Sequence, residues 1–447
     1  MRRRARSRQP APSAAAGNAA EIEIDILRIG EQGDGIADTP LGRLYVPLTT
    51  TGDRARVRVG LRRGDGFVAD LISLLAPGTG RTEPPCPHFA ACGGCALQHL
   101  ADPDYAAWKT DRLRVALARA GLSDDRMAPL VRTPAGTRRR ATFTAVRPGG
   151  SPRARLGFQM RASHSVVDVA VCPVLDPAIA ALLAPLRRLL TELLSPGSRA
   201  RVEVTRLDGG LDVLVEGLAG LTGETLQRLA QFADEADLTR LSWRRTAGDP
   251  VEPLALRRPA QIVFAGVPVN IPPGVFLQPS LAGEAALSAA VREAMPPQSS
   301  LADLFSGCGT FTLPLAAGGA HVRAVDLDAE AISALSAAAR QIPALAGRIT
   351  CERRNLFVQP LAAGELDRFD GVVIDPPRAG ARAQAHALAA SRVAGIVYVS
   401  CNPASFARDS RILVDGGFRL ETVTPVDQFL WSSHLEVVGV FRRPAEK

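Results

Sequence analysis

The stretch Leu301-Ala-Asp-Leu-Phe-Ser-Gly-Cys-Gly-Thr-Phe311 decides the fold. Leu301 to Phe305 is a short, largely apolar strand, and Gly307 and Gly309 then allow a tight turn and close approach of a ligand to the backbone. His321-Val-Arg-Ala-Val-Asp326 is the next strand, followed by an Ala-rich helix over 329–341. Phe369-Asp-Gly-Val-Val-Ile-Asp375 and Gly395-Ile-Val-Tyr-Val-Ser400 repeat the pattern, and Leu435-Glu-Val-Val-Gly-Val-Phe441 is a last strand. Apolar strands alternating with helices predict a mostly parallel, doubly wound α/β domain over 266–447.

Working outward, the chain changes character three times. Residues 1–20 are small, polar and basic, and read as a disordered arm. Over 21–76 short alternating strands, beginning with Glu21-Ile-Glu-Ile-Asp-Ile, are separated by glycine turns and predict a small β-barrel. Arg54, Arg56 and Arg58 share one face of it, as a solvated edge or as a nucleic-acid surface. Residues 77–265 mix strands with Leu-rich helices and read as an α+β domain that opens on a Pro/Gly-rich linker. A helix over 104–120 is placed to pack on the C-terminal domain.

The 447 residues are too many for one ordinary core. No apolar run reaches the ~18 residues of a membrane span, and the basic N-terminus lacks the apolar segment of a secretory signal. Net charge is +8, which favours a polyanionic partner. All but two of the 53 lysine and arginine residues are arginine, so genome composition explains the charge as readily. Seven cysteines, an odd number with three inside ten residues, argue against a disulfide framework and for a metal or cluster site in a reducing cytoplasm.

Four motifs end strands of the C-terminal domain, at the edge where open α/β sheets bind ligands. The Gly307–Gly309 turn lacks the third glycine of a dinucleotide fingerprint. Asp326 at the end of the next strand suits ribose hydroxyls, so the pair fits S-adenosylmethionine better than NAD. Asp375-Pro-Pro-Arg-Ala-Gly carries an acid into the same edge, and Arg378 stands where amino-group methyltransferases often have an aromatic. Ser400-Cys-Asn-Pro403 puts Cys401 before a helix N-terminus, which lowers a thiol pKa; a buried inert cysteine is the alternative. Glu436 opens an apolar strand as either a solvated strand end or a base held at the site. Elsewhere, Cys86-Pro-His-Phe-Ala-Ala-Cys92-Gly-Gly-Cys95, with Cys172-Pro far downstream, offers four thiolates for zinc or an iron–sulfur cluster. His88 and His99 are alternative ligands.

In order and spacing these motifs, with Phe276-Leu-Gln-Pro-Ser280 and His434-Leu-Glu436, resemble the bacterial RNA 5-methyluridine methyltransferases that carry a TRAM domain and an iron–sulfur cluster. The likeness is greatest to those acting on 23S ribosomal RNA and covers nearly everything after residue 20. It implies a TRAM, OB-like barrel that binds RNA and a Rossmann-like class I methyltransferase domain. Cys401 would be the nucleophile and Glu436 the proton acceptor. Gln278, Phe305, Asp326 and Asp375 would contact S-adenosylmethionine, and Cys86, Cys92, Cys95 and Cys172 would hold a [4Fe-4S] cluster. The family often has Asn at 280 and 310 and Glu at 326, where this chain has Ser280, Thr310 and Asp326. The expected product is 5-methyluridine, formed by a cytoplasmic monomer on an unstacked uridine. A transfer RNA substrate, a C5-cytosine enzyme and a non-catalytic RNA-binding factor are the rivals. The second is disfavoured because such enzymes typically carry Pro-Cys where this chain has Asp375-Pro.

Overall fold

The computed structural model describes residues 20–218 and 220–444. The basic arm expected over 1–20 lies, except for Ala20, outside them. Two compact units emerge: residues up to Thr82 with His99–Ala101, and Glu83–Gln98 with everything from Asp102 onward.

The first unit is a six-stranded sheet. Its strands are β1 (Glu21–Asp25), β2 (Arg28–Ile29), β3 (Gly35–Thr39), β4 (Gly42–Val46), β5 (Arg54–Arg63) and β6 (Gly66–Ala76), ordered β1-β5-β6-β4-β3-β2. Period-two alternation buries Ile24, Ala55 and Val57 with Leu44 and Val46 and turns Arg54, Arg56 and Arg58 outward. Register sets those arginines opposite Asp25, Glu23 and Glu21. Arg56 and Arg58 donate to Glu23 and Glu21 at 2.8 Å, and Arg54 to Glu23 at 3.2 Å. The stripe is therefore partnered by carboxylates of its own sheet, and the Arg56 hydrogen bond holds the Glu23 carboxyl below its ordinary value.

The second unit begins with the cysteine segment, α1 (Asp102–Arg119) and β7 (Val131–Arg132). A middle layer follows: β8 (Arg140–Val146), β9 (Arg155–Gly157), α2 (Pro177–Leu193), β10 (Arg199–Leu207), β11 (Gly210–Glu216), α3 (Gly223–Glu235), β12 (Arg240–Arg244) and β13 (Glu252–Leu256). Its sheet runs β13-β12-β11-β10-β8-β9. Asp176 caps α2 by accepting the Ala178 N–H, with Pro177 in the first turn. Ile179, Leu182, Leu183, Leu186 and Leu190, at helical spacing, bury against Phe143, Val202 and Val213. Each such side chain contributes roughly 1.5–3 kcal/mol.

The remainder is β14 (Gln261–Phe264), β15 (Val267–Asn270), α4 (Leu281–Ala294), β16 (Ser300–Leu304), α5 (Thr312–Ala317), β17 (His321–Asp326), α6 (Ala329–Gln341), β18 (Ile349–Arg353), α7 (Ala363–Leu366), β19 (Gly371–Ile374), α8 (Arg382–Ala390), β20 (Gly395–Ser400), α9 (Pro403–Asp415), β21 (Arg419–Asp427) and β22 (Glu436–Arg442). The sheet order is β18-β17-β16-β19-β20-β22-β21-β7. The first five are parallel, and β22 runs antiparallel to β20 and β21. Leu287, Leu313 and Leu335 belong to one of its two apolar cores, and Leu366, Leu388, Phe406 and Leu413 to the other. Leu113 and Leu117 of α1 join the second. The expected boundary at 265/266 falls in the β14–β15 turn, and Ile262 and Phe264 share a core with Leu301. The chain lays β16, β17 and β18 outward, then returns to place β19 and β20 on the other side of β16. The strand order reverses there, and ligands bind in the crevice outside the carboxyl ends of such strands. No helix among the described residues is long and apolar enough to cross a membrane.

Candidate active site

At the reversal, Phe305 leaves β16 in the left-handed region at φ 63°, an uncommon conformation for a side chain of that size. Two hydrogen bonds hold it: the Phe305 and Ser306 amides donate to the Val325 carbonyl at 2.8 and 3.2 Å. Gly309, at φ 98°, leaves no room for a Cβ, which would stand 2.5 Å from Leu335 Cδ1. Asp326 Oδ2 accepts the Gly307 N–H at 2.9 Å and its Oδ1 the Asp328 N–H at 2.8 Å. The acid expected at a ribose is thus also the brace of the glycine turn. Behind it, Asp303 is fully buried and accepts the Thr312 hydroxyl at 2.6 Å. Burial pushes its carboxyl up to about 7.

Asp375 follows β19, its amide donating to the Leu304 carbonyl at 3.2 Å. Gln278 Nε2 donates to Asp375 Oδ2 at 3.1 Å. Gln428 Nε2 donates both to Gln278 Oε1 at 2.9 Å and to Glu436 Oε2 at 2.8 Å. Two amides therefore bridge two carboxyl groups. Glu436 is 3% exposed, which disposes of the solvated strand end. Burial pushes its carboxyl up to about 7, against the Gln428 hydrogen bond. Burial and then the Glu436 charge raise Asp375 well above the carboxylate range, with Gln278 opposing. Gln428 escaped sequence reasoning: Asp427-Gln428-Phe429 belongs to no motif, and only its place between two strands hints at a role.

Cys401 leaves β20 half-buried. Asn402 caps α9 by accepting the Ala404 N–H at 3.2 Å, while its Nδ2 donates to the Arg378 carbonyl at 3.2 Å. Ser405 Oγ donates to the same carbonyl at 3.1 Å, tying the Cys401 loop to the Asp375-Pro-Pro-Arg378 loop. The surroundings of the thiol work against the acidifying influence of its helix N-terminus. Burial, then Glu436, then Asp375 push it up to about 11, and Arg378 and the residue's own amide oppose them only weakly.

Cys401, Arg378 and His434 line a cavity of about 530 Å³ that Cys86, Cys92, Cys95 and Cys172 line too. Burial drives Cys95 up to about 12 and raises Cys92 and Cys172, with the other thiols of the set adding repulsion. Among the described residues no three His, Cys, Asp or Glu side chains are gathered as a single metal ion requires. His88 Nε2 instead accepts the Ala170 N–H at 3.1 Å, and His99 Nε2 lies 3.0 Å from the Thr49 carbonyl.

Residues 270–443 match the family model described as tRNA (uracil-5-)-methyltransferase. A protein of Caulobacter vibrioides named only as an RNA methyltransferase is 42% identical over 94% of this chain and 100% of its own length. The 23S rRNA (uracil(1939)-C(5))-methyltransferase RlmD of Chromohalobacter salexigens is 32% identical over 94% of this chain and 89% of its own. The solved Pyrococcus abyssi tRNA (uracil-54, C5)-methyltransferase, bound to S-adenosyl-L-homocysteine, superposes with a TM-score of 0.72 at 23% identity, over 94% of this chain and 100% of that one. That likeness speaks for the fold. With near full-length identity to named RNA methyltransferases and a motif-bearing C-terminal domain that fits the family model, this chain belongs to the tRNA (uracil-5-)-methyltransferase family of RNA methyltransferases.

Proposed function

We propose that this chain methylates carbon 5 of a uracil in 23S ribosomal RNA, with Cys401 as covalent nucleophile and Glu436 as base. One observation carries the reading: the Cys401 thiol lies in the field of two buried, bridged carboxyl groups at the sheet's switch point. S-adenosylmethionine supplies the electrophilic methyl group on a positively charged sulfur. Gln278, Phe305, Asp326 and Asp375 are assigned to hold it. Burial, with the two carboxyls adding to it, raises the free thiol, and a cation bound beside them would oppose that bias.

As thiolate, Cys401 adds to uracil carbon 6, and the displaced π electrons become an enolate on oxygen 4. Carbon 5 takes the methyl group as its electrons return from the enolate, while the methyl–sulfur bond breaks and its electron pair stays on the sulfur, which leaves as a neutral thioether. Glu436 then removes the carbon 5 proton, the carbon 5–carbon 6 double bond reforms, and the Cys401–carbon 6 bond breaks to return the thiolate.

The ribosomal substrate is supported by the name of the 32%-identical relative, and net charge +8 suits RNA. The first unit is read as a TRAM barrel contacting that RNA, the chain acting as a cytoplasmic monomer. Purified protein with labelled S-adenosylmethionine should methylate a 23S fragment and leave a transfer RNA transcript unlabelled, with the label in 5-methyluridine on nucleoside analysis. Label in the transfer RNA alone would move the substrate, and label in cytosine would sink the reading.

Four thiols around one cavity, mutually repulsive as thiolates, fit a cationic group wider than one metal ion. Cys86, Cys92, Cys95 and Cys172 would hold a [4Fe-4S] cluster, which would fix the segment's fold and take no part in methyl transfer. Anaerobically purified protein should carry about four irons and four sulfides per chain; one zinc and no iron overturns this assignment.

A further inference from the structure

Only two lysines occur among the chain's 53 basic residues. One of them, Lys109 on α1, is fully buried. Its ammonium has three protons, and three acceptors meet them: Asp427 Oδ1 at 2.7 Å, the Phe429 carbonyl at 3.3 Å and the His434 carbonyl. A compact ammonium can aim three donors into such a tripod, whereas a planar guanidinium spreads its donors in one plane. Burial pulls Lys109 down to about 8, with Asp427 holding it up.

One turn earlier, the Tyr105 hydroxyl donates to Asp427 Oδ2 at 2.5 Å and accepts the Trp431 N–H at 2.8 Å. Arg112 donates to the Ser433 carbonyl. From the cysteine segment, the Ala96 and Leu97 amides donate to the Trp431 carbonyl at 2.8 and 3.1 Å. Trp431 is held in the left-handed region at φ 57°, a strain that persists only where surroundings over-determine it. The connection between β21 and β22 is thus gripped mainly by its own backbone. Gln428, at one end of it, hydrogen-bonds Glu436 at the other.

A buried ion pair is a weak source of stability, since desolvation offsets attraction. Apolar residues of similar volume would hold α1 on the sheet as well. What Lys109 and Asp427 add is direction on three oxygens.

We infer that Lys109 and Tyr105 are positioning residues, which clamp the Asp427–His434 connection and so fix Glu436 for removal of the carbon 5 proton. The inference rests on Glu436 being the base. It separates two steps, because the hydrogen bonds of Lys109 and Tyr105 run to the Asp427–His434 connection and not to the Cys401 loop.

The test compares Tyr105→Phe, Lys109→Arg and Glu436→Gln enzymes in two assays. Covalent capture of 5-fluorouridine RNA reads attack and methyl transfer, and tritium release from RNA labelled at uracil carbon 5 reads proton removal. Tyr105→Phe and Lys109→Arg should capture within about threefold of the parent and release tritium roughly 10- to 100-fold more slowly. Retained charge in Lys109→Arg should not rescue release. Tyr105→Phe removes one hydroxyl and keeps the ring, so it stands if Lys109→Arg fails to fold. Equal loss in both assays, or none in either, overturns the clamp. Selective loss in Glu436→Gln without one in the clamp variants also overturns it, and leaves the base assignment standing. Parental tritium release by Glu436→Gln removes the base assignment, and the clamp with it.

Discussion

A Cys401→Ala enzyme is expected to lose methylation by at least about 10⁴-fold, or roughly 5.5 kcal/mol of transition-state stabilisation. Carbon 5 of uracil becomes nucleophilic only when a nucleophile adds at carbon 6, so the loss removes the first step. With Cys86, Cys92, Cys95 and Cys172 assigned to the cluster, neither remaining thiol is placed to substitute. Cys308 is 2% exposed and burial pushes it up to about 12, and Cys351 sits within β18. The variant should fold, because the Asn402 cap and the Asn402 and Ser405 bonds to the Arg378 carbonyl do not use the thiol. Methyl incorporation and the denaturant-stable complex with 5-fluorouridine RNA should vanish together. Methylation at a normal rate by the alanine enzyme would end the covalent mechanism.

Glu436→Gln should do the opposite to the adduct. An amide is nearly isosteric and its oxygen still accepts from Gln428 Nε2, so the bridge to Gln278 survives. It cannot take the carbon 5 proton, and turnover should fall by on the order of 10²–10⁴. Attack should persist, because removing the Glu436 charge removes the main electrostatic influence that raises the Cys401 thiol. A denaturant-stable complex should therefore accumulate on ordinary uridine RNA, where the parent leaves little. In the parent, proton release should rise with pH through about 7, where Glu436 ionises; the variant's residual rate should lack that limb. The stability effect has the other sign. The folded value lies above the ordinary 4.5, so the contribution is full below about 4.5 and lost as pH climbs past 7. Parental turnover with no trapped complex would remove Glu436 from its role.

The readable parts of the site lie at strand ends. Asp326, Asp375 and Cys401 each follow an apolar run, and an apolar run ended by a turn places its last residue at a sheet edge whatever the rest of the chain does. Gln428 and Lys109 were illegible for the converse reason. Lys109 meets Asp427 across a separation of 318 residues, and no local pattern encodes that meeting. For the Cys401 thiol the helix N-terminus is a local feature, while the burial and the carboxyls that push it up come from the packed fold and from other strands. The arginines of β5 read as either a solvated edge or a nucleic-acid surface. Strand register, which alternation leaves open, set Asp25, Glu23 and Glu21 opposite them.

The amide bridge between Asp375 and Glu436 also bears on timing. Protonation at one end is felt at the other, so the pair responds to the charge beside it as a unit. In the proposed reaction a positive sulfur favours ionisation while the nucleophile must form. Methyl transfer then turns that sulfur neutral, and the same carboxyls, with their counter-charge gone, grow more avid for a proton. On that reading the base would be strongest just after carbon 5 has acquired its methyl group and must shed its hydrogen. The loss of charge on the bound sulfur would then act as the clock that separates attack from elimination.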